Sequence, residues 1–178
     1  MKTTLLYLLF IVFLLSTNSC SKNDDCVNPV DCLPPATQVG ANTAGCLVNG
    51  EVFLPGGRSI GSGSVLKAQY VFHNGRYIFG VSINNPRDGN KMVLIESKYD
   101  ALEEGETYIM KQYSDISTTG FYLNGSNGYS TTDEVIGEFT ISKLDESRKI
   151  LSGTFWFDAI NNEGEIVQIR EGRFDVHY

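Results

Sequence analysis

Alternation is the feature that most constrains this chain. Leu66, Ala68, Tyr70 and Phe72 alternate with Lys67, Gln69 and Val71, and beyond Asn74-Gly75 the residues Tyr77, Phe79, Val81 and Ile83 alternate with Ile78, Gly80 and Ser82. Successive strand side chains point to opposite faces, so this pattern describes two strands with one buried face. Asn-Gly accepts positive φ at both central turn positions and joins such strands as a tight hairpin. The same device, Asn49-Gly50, separates Cys46-Leu47-Val48 from Val52-Phe53-Leu54. Further strands are predicted over 92–96, 107–112, 120–123, 136–143, 150–158, 165–169 and 173–177. Turns are expected at 124–128, at Asn161–Gly164 and at Glu171-Gly172. In the segment 150–158, Leu151, Gly153, Phe155, Phe157 and Ala159 share one side, and Ser152, Thr154, Trp156 and Asp158 share the other. Apart from one possible helical turn over 99–104, no segment holds a helical period. The chain is therefore expected to be all-β, a single antiparallel meander of roughly ten strands forming a barrel or a sandwich, and pattern alone leaves both open.

The 178 residues suit one domain, and 10 Phe, 9 Tyr and a single Trp supply its core. The net charge is −7, and with no Lys/Arg cluster a phosphate backbone would be repelled. Nucleic acid is thus excluded as an expected partner. The same acidity disfavours peripheral docking on anionic lipid, so contact with a membrane requires a covalent anchor.

The N-terminus offers one. Lys2 precedes an unbroken apolar run of 11 residues, Leu5 to Leu15. That is short of the ~20 residues a membrane-spanning helix needs and matches the apolar region of a signal peptide. Ser16-Thr17-Asn18-Ser19 and then Cys20 follow. A cysteine placed so, after a small residue, resembles the lipobox of bacterial lipoproteins, where the thiol is acylated by chains such as palmitate and the signal is cut just before it. The position three before the cysteine, usually Leu, Val or Ile, is Thr17 here, a departure that bears on cleavage more than on class. Two or three acyl chains anchor stably where one does not. Residues 1–19 are read as signal peptide, 20–38 as lipidated flexible tether and 39–178 as the domain. Ser21, Lys22, Asn23, Asp24 and Asp25 resemble the polar, acidic export tag of Bacteroidota surface lipoproteins, and they also serve as a solvated spacer.

Setting Cys20 aside leaves Cys26, Cys32 and Cys46. Export favours pairing. Cys26–Cys32, with Pro29 bending the loop between them, is the favoured pair and leaves Cys46 reduced and buried; Cys32–Cys46 is the alternative. No metal centre is expected, since the histidines are only His73 and His177 and there is no CxxC.

Two further stretches carry a family resemblance. LPPATQVGANTAGCLVNGEVFLP, residues 33–55, and GRFDVHY, residues 172–178, resemble the two ends of a family of uncharacterised Bacteroidota lipoproteins. That family shares a Leu-Pro-Pro-Ala-Thr-Gln segment, Gly-Ala-Asn-Thr and Gly-Cys-x-Val-Asn-Gly, with Gly-Arg-Phe before a last strand. The resemblance implies an envelope lipoprotein with an unpaired Cys46 and implies no activity.

Catalytic constellations are weak. Triad chemistry would require His73, beside a hairpin turn, or His177, the penultimate residue. Carboxylate pairs could be drawn from Glu103, Glu104, Glu106, Glu138, Asp158 or Glu165, but 21 acids supply such pairs by chance. Trp156 is the most informative side chain: with Phe155 and Phe157 inward it points outward, flanked by Thr154 and Asp158, as a platform for a sugar ring. The expectation is a non-enzymatic interaction or structural module, lipid-anchored in the outer membrane at the cell surface, without cofactor and contacting an envelope protein. The alternative is a small-ligand or glycan-binding lipoprotein that uses a barrel mouth or the Trp156 face.

Overall fold

A computed structural model describes residues 26–57, 64–99, 101–114 and 117–178. Among them eleven strands form one antiparallel sheet that does not close, giving a sandwich-like all-β fold. The strands are β1 (Thr43–Val48), β2 (Glu51–Phe53), β3 (Leu66–His73), β4 (Arg76–Asn85), β5 (Lys91–Tyr99), β6 (Thr107–Met110), β7 (Thr118–Asn124), β8 (Asn127–Ser130), β9 (Gly137–Asp145), β10 (Ile150–Ile160) and β11 (Ile166–His177). The main path runs β2-β1-β11-β10-β8-β7-β5-β4-β3. β9 pairs with the first part of β10 and carries β6, while Ile160 at the far end of β10 pairs with Ser130 of β8. The sheet thus forks at β10, and its two arms fold over each other.

Both Asn-Gly hairpins form as the alternation requires. Asn49 and Gly50 have φ of 50° and 84°, Asn74 and Gly75 of 51° and 82°, and the flanking pairs Val48–Glu51 and His73–Arg76 close directly on the two-residue loops. Phe79, Val81 and Ile83 of β4 share one buried core with Phe139, Ile141, Leu151, Phe155, Phe157 and Phe174. Phe139 stands at the centre, stacked on Phe79 at 5.1 Å and on Tyr108 at 5.0 Å between ring centroids. Cys46 lies in this core as a free thiol.

Three sequence expectations change. The stretch 124–128 is not all turn: Gly125-Ser126 alone makes the turn, and Asn127 already begins β8. Glu171-Gly172 is not a turn either. β11 runs unbroken through it, because the extra residue is absorbed as a bulge with Glu171 at φ 53°. Finally, the described part of the expected tether, residues 26–38, is tied to the sheet at Leu33 and Thr37. A 3-10 turn, Pro29–Cys32, leads into Leu33, which is buried at 7% exposure, so ordered structure begins well before residue 39.

Candidate functional site

The site grows out of the bulge between β10 and β11. Phe155 pairs with Gly172 and Phe157 with Ile169, so the single residue Trp156 stands opposite two residues, Arg170 and Glu171. A bulge re-aims side chains at a sheet surface. Here Arg170 and Glu171 both reach the groove on the outer face, where Trp156 already points. The close approach depends on Gly172: a Cβ there would lie 2.5 Å from the Phe155 ring. On the other flank Trp156 pairs with Glu138 of β9, and Thr154 pairs with Thr140.

The result is an open groove of about 530 Å³ on the outer face of β9, β10 and β11, lined among others by Trp156, Glu138, Thr154, Arg170 and Arg173. The half-buried indole is held on two sides. Its Nε1–H donates to Glu138 Oε2 at 3.4 Å, and the Arg170 guanidinium lies over the ring at 5.4 Å, a cation–π contact. Arg170 is itself fixed: it donates to the carbonyls of Phe157 (3.1 Å) and Ile169 (2.9 Å) and pairs with Asp158 at 2.6 Å. Arg173 pairs with Glu171 at 3.2 Å. The Thr154 hydroxyl is exposed and has no hydrogen-bond partner among the described residues.

One wall of the groove comes from the N-terminal segment, through Ala36. That wall is held by a buried carboxylate. Asp175 of β11, 1% exposed, points to the same outer face and receives the Thr37 hydroxyl (2.6 Å), the backbone N–H groups of Val39 (3.1 Å), Gly40 (2.8 Å) and Ala41 (3.1 Å), and the Ser152 hydroxyl (2.7 Å). Burial by itself would raise the pKa of this carboxyl. The hydrogen bonds from Thr37, Ala41, Ser152 and Val39 outweigh it and hold the group far below the usual carboxylate range. Gly40, at φ 75°, is required where the chain passes the His177 ring, which a Cβ would approach to 2.5 Å. The outer face of β10 and β11 is therefore divided: Ser152 and Asp175 lie under the N-terminal segment, and Thr154, Trp156 and Arg173 remain open.

The sequence candidates are placed as follows. Trp156 and Thr154 line the groove, whereas Asp158 does not; it stands behind Arg170 and fixes it. Glu138, Arg170, Glu171 and Arg173 carry no sequence signal that ties them to Trp156, because only the pairing register brings them there. Cys26 and Cys32 form a disulfide. Cys20 and the tag candidates Ser21, Lys22, Asn23, Asp24 and Asp25 lie outside the described residues. His73 ends β3, exposed, and His177 sets Nδ1 3.2 Å from the Arg148 carbonyl oxygen. Among the described residues no group of three or more His, Cys, Asp or Glu is placed to hold a metal ion, and no helix is long and apolar enough to cross a membrane.

No curated protein and no solved structure matches the chain. A family described as Domain of unknown function (DUF6252) matches residues 55–176, a span that holds Thr154, Trp156, Arg170, Arg173 and Asp175 and ends short of the N-terminal segment that walls the groove. The chain therefore belongs to the DUF6252 family.

Proposed function

We propose that this protein is a Bacteroidota cell-surface lipoprotein: acylated at Cys20, anchored in the outer membrane, outward-facing, and a non-enzymatic interaction module. The observation that carries the reading is the order of signals at the N-terminus, a basic residue, an 11-residue apolar run, small polar residues and Cys20, followed by an acidic polar stretch. The motifs at residues 33–55 and 172–178, with their likeness to Bacteroidota lipoproteins, support the same placement.

The way the chain joins the fold gives the anchor a mechanical consequence. Cys26 is tied to Cys32, Leu33 is buried, and Thr37 to Ala41 are clamped on Asp175. Cys20 lies six residues before Cys26, and six residues, however they are arranged, span at most about 20 Å. A lipid on Cys20 would thus keep the domain beside the bilayer and prevent it from reaching far into the medium.

The test is surface labelling of intact cells with an impermeant amine-reactive biotin. The domain should label before the outer membrane is broken, and a Cys20→Ser chain should lose its membrane fraction. A domain that labels only after lysis, or a Cys20→Ser chain that remains membrane-bound, would contradict the proposal.

A further inference from the structure

The groove on the outer face of β9, β10 and β11 is built as a binding site, and we propose that its ligand is a neutral saccharide chain. Four observations converge. Arg170 lies over one face of the Trp156 indole and Glu138 holds its Nε1–H, so the ring is fixed in place, and a sugar ring that stacks on the face Arg170 leaves uncovered would cost little side-chain entropy. Arg173 and Glu138 supply donors and acceptors at the groove, and the partnerless Thr154 hydroxyl adds a group that can do both. The charges are compensated within the site: Arg170 by Asp158, and Arg173 by Glu171. With Glu138 added, nothing in the groove rewards an anionic ligand, which sets phosphates and polyanions aside. The groove is also open to solvent rather than enclosed, which suits a ligand laid across the surface better than a small molecule that needs burial.

A peptide is the rival occupant. A chain that recognises peptide by strand addition offers a free sheet edge, whereas the groove sits on strands that are hydrogen-bonded on both sides: β10 lies between β9 and β11, and β11 between β10 and β1. Hydroxyl-rich rings stacking on a face fit this geometry, and an added strand does not. The inference concerns the groove alone and stands whether or not the chain is lipidated.

Trp156 is the single tryptophan of the chain, so emission excited selectively beyond the absorption band of the 9 tyrosines reports on this groove. The full-length protein in detergent is titrated with hexasaccharides of β-1,4-glucose, β-1,4-xylose, β-1,4-mannose and α-1,4-glucose. At least one should give a saturable change in Trp156 emission. In Thr154→Arg, a substitution at an exposed site that fills the groove, affinity should fall at least tenfold. Retention on the immobilised sugar, measured by affinity electrophoresis, should fall by a similar factor in Trp156→Ala. Circular dichroism confirms that each variant is folded. No emission change with any of the four sugars would overturn the proposal, and so would a bound sugar whose affinity is untouched by Thr154→Arg. Displacement of the sugar by a peptide library at lower concentration would instead assign the groove to peptide.

Discussion

Asp175 is the residue that holds the N-terminal segment to the sheet. A buried carboxylate is unfavourable unless its oxygens are fully hydrogen-bonded, and here five donors converge on it. Asp175→Asn removes the charge and sets an amide N–H against backbone donors, at a cost of about 2 kcal/mol in chemical denaturation. The sign of the pH effect follows from the depressed folded pKa. The contribution is present in full above the ~3.9 of an unfolded Asp and is lost as pH falls from there toward the folded value. Wild type should therefore lose stability in acid more steeply than Asp175→Asn, as read by denaturant midpoints between pH 6 and pH 2.5. Cys46 gives a second residue-scale prediction. Burial pushes its thiol pKa up, away from the reactive thiolate. Iodoacetamide should leave Cys46 unmodified in the native protein and alkylate it in denaturant, with the modified peptide identified by mass spectrometry.

At the scale of elements, the β10–β11 bulge explains both the groove and the limits of reading it in advance. The alternation of β10 was legible: Phe155, Phe157 and Ala159 are buried and Trp156 faces outward, because a period of two survives in a strand with one buried face. Both Asn-Gly hairpins were legible for the same local reason. Glu171-Gly172 was not, since a Gly after a polar residue marks a turn or a bulge equally well and only the partner strand decides. β8 was hidden because Asn-Gly-Ser-Asn-Gly is turn chemistry along its whole length, of which only two residues turn. The Asp175 clamp had no local signal at all: its partners Thr37 to Ala41 lie more than 130 positions away. If Gly172 is what lets the bulge close, Gly172→Ala forces a methyl against the Phe155 ring and should cost roughly 1–3 kcal/mol. It should also shift Trp156 emission, because Arg170 and Glu171 would be displaced from the indole. A loss of stability with unchanged Trp156 emission would mean that the groove does not depend on the bulge.

For the whole molecule, the sheet and the segment that ends in Thr37 to Ala41 are held together through Asp175. The segment after the disulfide is not a loose string; it covers Ser152 and Asp175 and supplies the Ala36 wall. In the proposed anchored state, the short step from Cys20 to Cys26 therefore holds the domain and its groove near the bilayer. Lengthening that step by inserting a flexible Gly/Ser segment of ten residues between Cys20 and Cys26 should leave the denaturation midpoint unchanged. It should also increase cleavage of the surface-anchored domain by an added protease. Membrane attachment through one sulfur atom is what everything at this scale requires. The direct measurement is the intact mass of the N-terminal peptide from protein purified out of the membrane fraction. The peptide should begin at Cys20 and be heavier by its acyl groups; one that retains residues 1–19, or that begins at an unmodified Cys20, would overturn the lipoprotein reading.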